Sequence, residues 1–307
     1  MKVSLEASVN SSLESSYTRE KALTLAKQEL AAATSPSDSA QLDVELLLGH
    51  VLCVASASLY AWPDKRITIS QWQSFWRLVQ DRCLGKPIAY LLGRQSFWTL
   101  DLQVNVSTLI PRPETELLVE VVLGLNLPVQ ANVVDLGSGS GAIALALASE
   151  HPQWNVAGVD QCPDAVSLAK TNASKCNLKR VKFYQGNWAQ GLVKEASKPL
   201  HCVVSNPPYI DAEDPHLQQG DVRFEPISAL VAGDYGMADI NIIARQAAQL
   251  LAVDGWIALE HGYDQGLKVA HLLTNLGFYS VSTEYDYNGH PRVTIGQWQN
   301  KRAWDYL

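Results

Sequence analysis

The sequence predicts an α/β protein with a mostly parallel, doubly wound sheet, preceded by a small helical domain. Residues 132–136 are predicted to form a short strand that leads through a glycine-rich turn into the apolar run 142–148. This order of strand, turn and helix is typical of such sheets. A second buried-strand pattern, at 203–205, stops at the Asn-Pro-Pro-Tyr motif of residues 206–209, because consecutive prolines cannot continue a strand.

Composition narrows the class of protein. With 307 residues, 47% hydrophobic and 18% charged, the chain can fill one large and one smaller core, so two domains are expected. A net charge of −7 and the lack of a Lys/Arg run argue against a broad nucleic-acid-binding face. Five scattered cysteines without a Cys-x-x-Cys pair favour reduced cytosolic thiols and no metal site. Without a signal peptide or membrane-length apolar run, we expect a cytoplasmic protein that needs no membrane.

Four segments are expected along the chain. Residues 1–17 are Ser-rich and are predicted to be a disordered extension. Residues 18–93 show helical periodicity and are predicted to form the small helical domain. Residues 94–112 are predicted to be a β-hairpin linker, and residues 113–307 the larger α/β domain.

The helical segment contains recognisable boundary signals but no chemistry. Ser70 and Gln73 have the spacing of a capping box that would open a helix from Trp72 to Leu84. Gly85 would end that helix. Two interpretations of the segment stay open, a packing module and a module that holds a protein substrate.

The glycine-rich turn predicts a nucleoside site. Its glycines let the backbone approach a ligand closely, and the N-terminal N–H groups of the following helix face the same ligand. The next strand, at 156–160, ends in an acid where a ribose hydroxyl pair would be recognised. The predicted cofactor residues from this pattern are Gly137, Ser138, Gly139, Ser140, Gly141 and Asp160.

The Asn-Pro-Pro-Tyr motif predicts a second part of the site. It presents the Asn206 side chain, the Pro207 carbonyl and the Tyr209 ring where open α/β sheets bind ligands. Such a tip can hold a flat amide or amine. The alternative is a simple turn, since Asn and Pro are common turn formers, but the glycine-rich turn upstream favours a binding site.

Together the two motifs resemble those of a known family. Gly-x-Gly-x-Gly after Asp135 is similar to the first motif of the S-adenosylmethionine-dependent methyltransferases, and Asn-Pro-Pro-Tyr resembles the branch that methylates planar nitrogen. Segments 109–120, 221–226 and 229–233 extend the similarity. From Thr18 to Gln297 the chain resembles the bacterial release factor glutamine methyltransferases, the PrmC/HemK family.

This resemblance implies a Rossmann-like class I methyltransferase fold and specific residue roles. Trp188 and Asn206 would join the cofactor site, with Trp188 against the adenine, while Asp135 and Glu114 are candidates near the methionine end. His261 is interpreted as a structural residue rather than a base. The implied substrate site comprises Asn206, Pro207, Pro208 and Tyr209, of which Asn206, Pro207 and Tyr209 would be catalytic.

The implied reaction transfers a methyl group from S-adenosylmethionine to the side-chain amide nitrogen of the glutamine in the GGQ motif of peptide chain release factors. S-adenosylhomocysteine would be the product, with no metal and no direct nucleic-acid requirement. Three alternatives stay open: a glutamine methyltransferase for a ribosomal protein, a nucleic-acid adenine methyltransferase, and a non-catalytic S-adenosylmethionine-binding partner. Net acidity disfavours the adenine enzyme, and intact Asn206 and Tyr209 disfavour the silent partner.

Overall fold

The computed structural model describes residues 17–33, 37, 39–192 and 199–299. The chain divides into two compact units after Gly93. Most of the predicted N-terminal extension lies outside the described residues. Its last member, Tyr17, stacks on Trp72 with the ring centroids 4.0 Å apart.

The described part of the first unit is helical. Its helices are α1 (Arg19–Ala31), α2 (Ala40–Leu52), α3 (Ser56–Ala61), α4 (Ile69–Cys83) and α5 (Ile88–Leu92). Apolar side chains from the first four helices form one buried cluster, which includes Ala26, Leu47, Leu59, Phe75 and Val79. Burial of this shared apolar surface supplies most of the stability that such short helices lack in isolation.

The predicted N-cap of α4 was wrong. Thr68, rather than Ser70, is the N-cap: its hydroxyl accepts from the Gln71 N–H at 3.2 Å, and Gln71 Oε1 accepts from the Thr68 N–H at 2.9 Å. Both pairs have the capping spacing in the sequence, but Thr68 has the extended backbone that an N-cap requires. Ser70 therefore lies in the first turn of the helix.

The second unit has an α/β fold, in which helices pack on both faces of a β-sheet. Its helices are α6 (Glu116–Leu123), α7 (Ala142–Glu150), α8 (Pro163–Lys175), α9 (Ala238–Leu250) and α10 (Gly266–Leu276). Its strands are β1 (Arg94–Phe97), β2 (Leu100–Gln103), β3 (Asn132–Leu136), β4 (Asn155–Asp160), β5 (Lys182–Gln185), β6 (Leu200–Ser205), β7 (Leu251–Glu260), β8 (Phe278–Tyr285) and β9 (Pro291–Trp298).

Strands β3 to β9 form one sheet in the order β5-β4-β3-β6-β7-β9-β8. The first five strands of this order are parallel, and β9 is antiparallel to both neighbours. Helices α6, α7 and α8 contribute to the buried cluster on one face, and α9 and α10 to the cluster on the other. The prediction of a mostly parallel, doubly wound sheet is confirmed.

The predicted hairpin is formed by β1 and β2, which pair from Arg94–Gln103 to Phe97–Leu100. Phe97 and Leu102 are buried in the core of the second unit. At the turn, the Trp98 N–H donates to Glu116 Oε1 at 2.7 Å, at the start of α6. The hairpin is thus packed into the second unit, which begins at Arg94.

Candidate active site

The two predicted motifs follow adjacent parallel strands. Asp135 on β3 lies opposite Val204 on β6. The strand order reverses at β3, since β4 and β6 flank it. Loops that follow neighbouring strands at such a reversal open into one crevice. The glycine-rich turn and Asn-Pro-Pro-Tyr therefore meet at the carboxyl edge of the sheet.

A pocket at this edge, here called pocket A, is lined by both motifs. It contains about 920 Å³ of empty space, its open mouth included. The sequence-predicted residues in its wall are Gly137, Ser138, Gly139, Ser140, Asp160, Trp188, Asn206 and Pro208. Gly141 is not part of the wall; it caps α7 with a φ of 85°.

Asp160 ends β4 and bridges two backbone segments beside pocket A. Its Oδ2 accepts from the Gly139 N–H at 2.8 Å, and its Oδ1 accepts from the Cys162 N–H at 2.8 Å. Burial raises the pKa of Asp160, while these two hydrogen bonds oppose the rise. Each carboxylate oxygen keeps a further lone pair, so the side chain can still accept from a ligand hydroxyl.

Trp188 follows β5 and lines pocket A. A Cβ on Gly137 would lie 3.1 Å from Trp188 Cζ3, so the glycine leaves room for the indole beside the turn. The indole N–H donates to the Asp239 carboxyl. Burial raises the pKa of Asp239, and this hydrogen bond partly opposes the rise. The Ala189 N–H donates to Gln246 Oε1 at 2.8 Å. These contacts hold the ring as a flat apolar surface that suits an aromatic base.

A second pocket, here called pocket B, adjoins pocket A and contains about 560 Å³ of empty space, its mouth included. Its wall is formed by Leu109, Arg112, Asn206, Pro207, Tyr209, Ile210, Val222, Ala229, Leu230 and Glu260. Pro208 lines pocket A, Pro207 and Tyr209 line pocket B, and Asn206 lines both. The Asn-Pro-Pro-Tyr motif is therefore a shared wall between the two pockets.

Side chains from distant segments hold this motif. Asn206 Nδ2 donates to Thr115 Oγ1 at 3.0 Å, and Tyr209 Oη donates to Glu260 Oε1 at 3.2 Å. Burial raises the pKa of Glu260 to about 7, while hydrogen bonds from Thr115 and Tyr209 and the positive charge of Arg292 oppose the rise. Burial raises the pKa of Tyr209, and the negative charge of Glu260 raises it further. The tyrosine is therefore a neutral hydrogen-bond donor at physiological pH.

An ion pair joins two segments at the edge of both pockets. Arg112 Nη2 donates to Glu225 Oε1 at 2.5 Å, and the Glu225 side chain is fully buried. Burial raises the pKa of Glu225, and the neighbouring guanidinium opposes the rise. Arg112 precedes a 3-10 helix at Pro113–Thr115 and Glu225 follows another at Gly220–Phe224. The pair thus fixes the loop after Asn-Pro-Pro-Tyr to the segment before α6.

Three residues considered in the sequence lie outside the wall of pocket A. Asp135 is fully buried, accepts from the Ala144 N–H at 3.2 Å, and has its pKa raised to about 7 by burial. Glu114 is exposed in the 3-10 helix before α6. His261 is fully buried, with Nε2 2.8 Å from Thr294 Oγ1 and Nδ1 2.8 Å from the Gly262 carbonyl oxygen. With both ring nitrogens engaged, His261 has the contacts of a structural histidine.

Sequence patterns did not predict a role for Thr115, Glu260 or the Arg112–Glu225 pair. A usable signal existed for Glu260, because it is an acid that closes a buried apolar strand, the same pattern that identified Asp160. Thr115 and Arg112 lie in a segment whose prolines and acids are typical of the start of a helix. Their side-chain partners are more than 90 residues away in sequence, and local patterns do not reveal such contacts.

The sheet topology, the glycine-rich turn facing pocket A and the acid at the end of β4 match the class I methyltransferase fold. A solved methyltransferase structure from Pyrococcus furiosus shares the fold, with a TM-score of 0.51 and 17% sequence identity over 72% of this chain and 98% of that one. Two family profiles also match, the PrmC N-terminal domain at residues 21–93 and the methyltransferase small domain at residues 113–221.

Two full-length relatives identify the family. The release factor glutamine methyltransferase of Shewanella oneidensis is 47% identical over 90% of this chain and 95% of its own length. That of Vibrio cholerae is 47% identical over 94% of this chain and 99% of its own length. The chain belongs to the release factor glutamine methyltransferase family, and the resemblance found in the sequence is confirmed.

The described residues contain no candidate membrane span and no candidate metal site. None of the helices there has the length and apolar character needed to cross a membrane. Across the same residues, no group of three or more His, Cys, Asp or Glu side chains has an arrangement that could hold a metal ion.

Proposed function

We propose that pocket A binds S-adenosylmethionine and that pocket B receives a glutamine side chain of a peptide chain release factor, in its GGQ motif. Methyl transfer to the amide nitrogen would then take place beside Asn206. The observation that carries this assignment is that Asn206 lines both pockets. A residue in that position can contact the methyl donor and the acceptor amide at once.

Family membership supports the reaction. The relatives named as release factor glutamine methyltransferases match almost the whole chain, including both units. The function and enzyme class predicted from the sequence, a protein-glutamine N-methyltransferase, are thereby confirmed. The proposal includes a release factor as binding partner, S-adenosylhomocysteine as product, a reaction without a metal and a cytoplasmic location.

The wall of pocket A fits the proposed cofactor. Gly137 lacks the Cβ that would crowd the indole of Trp188, which leaves a flat surface for adenine. Asp160 can accept from the ribose hydroxyls with the lone pairs that its backbone hydrogen bonds leave free. Backbone N–H groups of the turn and of the α7 N-terminus suit the carboxylate of the methionine moiety. S-adenosylmethionine, when bound, supplies an electrophilic methyl group on a sulfonium sulfur.

The wall of pocket B supplies what a glutamine amide needs. Its nitrogen is a weak nucleophile, because its lone pair is delocalised into the carbonyl. The two amide N–H groups donate to Asn206 Oδ1 and to the Pro207 carbonyl, and this holds the nitrogen in line for transfer. Positioning of this kind can lower a barrier by roughly 7–11 kcal/mol in favourable cases. Tyr209 flanks the amide and excludes water, and the nitrogen loses one proton as it gains the methyl group.

The first unit is proposed to dock the release factor. It is a separate helical unit, and its described residues do not contribute to the wall of either pocket. Because this unit does not form the wall of either pocket, its surface can bind a large protein substrate. The net charge of −7 favours a protein over a nucleic acid as that substrate.

Mass spectrometry tests the proposal directly. A purified release factor is incubated with the enzyme and S-adenosylmethionine, and its GGQ peptide is expected to gain one methyl group on the glutamine amide. Matched reactions contain a ribosomal protein, DNA carrying adenine, or the release factor with its GGQ glutamine replaced by alanine. Methylation of one of these three in place of the intact factor would contradict the proposed substrate.

A further inference from the structure

A buried carboxyl group lines pocket B. Glu260, the last residue of β7, is 2% exposed and lines this pocket. Its Oε1 accepts from Tyr209 Oη at 3.2 Å. Its Oε2 is buried without a partner of good hydrogen-bond geometry among the described residues. A buried, incompletely satisfied carboxyl is costly for the fold, so its place in a pocket wall suggests a role in function.

The same carboxyl reaches Asn206 through a hydroxyl group. Thr115 is 4% exposed, its Oγ1 accepts from Asn206 Nδ2 at 3.0 Å, and its hydroxyl interacts with Glu260 strongly enough to oppose the rise in the pKa of that acid. A threonine hydroxyl has one proton to donate. If that proton points to a carboxylate at Glu260, Thr115 can only accept from Asn206.

The direction of this hydrogen bond decides which face Asn206 presents. An Asn amide has a donor end and an acceptor end. With the N–H₂ end bound to Thr115, the Oδ1 end is left for the substrate amide. A protonated Glu260 would donate to Thr115 instead, and the hydroxyl could then donate to Asn206 and favour the flipped amide. Glu260 also binds Tyr209, so one carboxyl holds both ends of the Asn-Pro-Pro-Tyr motif.

We propose that ionised Glu260 is a positioning residue that sets the orientation of the Asn206 amide through Thr115, so that Asn206 Oδ1 faces the glutamine to be methylated. This inference rests on the proposed function. Glu260 acts through Thr115 and Tyr209 and need not touch the substrate itself.

The charged and titratable neighbours of Glu260 come from several elements. Arg292 on β9 favours the carboxylate, Tyr209 donates to it, and Glu114 before α6 disfavours it. Arg112 acts on the adjoining Tyr209 as a further positive charge. Burial outweighs the favourable contacts and places the pKa of Glu260 at about 7. Since the carboxylate is the orienting form, methyl transfer should be slow below this pKa and rise with pH through it.

Single-turnover methyl transfer at saturating cofactor, measured from pH 5.5 to 8.5, provides the first test. Glu260→Gln keeps the size of the side chain but supplies an N–H₂ group, so the rate should drop about a hundredfold, as for a misplaced catalytic contact, and lose its rise near pH 7. Thr115→Val should behave alike, whereas Thr115→Ser, which restores the hydroxyl, should stay within a few fold of wild type. Cofactor affinity should stay within about threefold in Glu260→Gln, because Glu260 lines pocket B and not pocket A. Glu120→Gln, an exposed substitution on α6, is the matched control.

Nuclear magnetic resonance gives a second readout that does not need turnover. The side-chain N–H₂ signals of Asn206, assigned by their loss in Asn206→Ala, should shift with pH near 7 in the wild type and stay constant in Glu260→Gln. A wild-type Asn206 signal that does not titrate, or a folded Glu260→Gln enzyme with wild-type rate and pH profile, overturns the proposed orienting role. If the signal titrates but no release factor is methylated, the orienting role stands and the proposed substrate is wrong.

Discussion

The side chain of Gln265 donates a 3.0 Å hydrogen bond to the backbone carbonyl of Tyr209. The same Nε2 donates to the Tyr235 carbonyl at 3.1 Å, and Oε1 accepts from the Gly262 N–H at 2.9 Å. One buried amide therefore ties together the loops that follow β6 and β7 and the loop before α9. Because buried backbone groups are paired in this way, the wall of pocket B is already ordered before a substrate arrives.

Replacement of Asn206 by alanine tests the catalytic role directly. The substrate amide would lose one of two acceptors, comparable to the loss of one oxyanion-hole partner, so the rate of methyl transfer should fall about a hundredfold to a thousandfold. Cofactor affinity should change much less. Loss of the Asn206–Thr115 hydrogen bond should lower the free energy of unfolding by about 1 kcal/mol. Single-turnover kinetics and thermal unfolding measure these effects.

Asn241→Ala, on the outer part of α9, is the matched control for Asn206→Ala. Asn241 contacts Arg245 and lines neither pocket. Its loss should leave methyl transfer unchanged. A folded Asn206→Ala enzyme that transfers methyl as fast as this control would contradict the proposed mechanism.

Asp160→Ala should weaken the binding of S-adenosylmethionine. Loss of charge-assisted hydrogen bonds to the ribose should reduce the binding free energy by about 1.5–3 kcal/mol. The Gly139 and Cys162 N–H groups would also lose their acceptor, so stability of the cofactor-free protein should fall as well. Isothermal calorimetry measures the first effect and thermal unfolding the second. Asp164→Ala, at the exposed start of α8, is the control, and equal affinities of the two variants would show that the ribose is held elsewhere.

The sequence located the parts of the site that local chemistry determines. The glycine-rich turn and Asp160 follow from one strand-turn-helix-strand unit, and Asn206 follows from two prolines that stop a strand. Adjacency of β3 and β6 then places both motifs together. The position of the site at the carboxyl edge of the sheet was therefore predictable without knowledge of any side-chain contact.

The features that the sequence did not predict depend on long-range packing. β8 was not predicted, since its polar and half-buried residues acquire a strand conformation by pairing with β9. The capping box of α4 had two candidates with equal spacing, and only the backbone conformation at Thr68 decides between them. The contact between Thr115 and Asn206 joins residues 91 positions apart, which no periodicity in the sequence records.

Deletion of residues 1–93 tests the proposed docking role of the first unit. The remaining unit keeps both pockets, so S-adenosylmethionine affinity should change little. Methylation of an intact release factor should fall much more, because docking energy from remote contacts supports transfer. Calorimetry, methyl transfer and circular dichroism are compared on the same preparation. A folded truncated enzyme that methylates the intact factor at the full rate would make the docking role untenable.

The turn at Gly236 offers a test of whether the order of pocket B matters for catalysis. Gly236 has a φ of 81°, and a Cβ at this position would lie 2.1 Å from the Tyr209 carbonyl oxygen and 2.5 Å from Gln265 Nε2. Gly236→Ala must therefore displace the loop that carries Tyr209 or break the Gln265 hydrogen bonds. Strain of this type should lower the free energy of unfolding by about 1–3 kcal/mol.

Methyl transfer by Gly236→Ala should be impaired far more than S-adenosylmethionine binding, because the displaced residue lines pocket B and not pocket A. Gly233→Ala in the same loop is the matched control, since its Cβ would meet only Ala238 Cβ, at 3.8 Å. Single-turnover rates, cofactor affinity and thermal unfolding are measured for both variants. If Gly236→Ala stays folded and both variants transfer methyl at the wild-type rate, a fixed position of Tyr209 is not needed for the reaction. If instead Gly236→Ala loses cofactor affinity as strongly as rate, the two pockets are not independent in the way that their walls indicate.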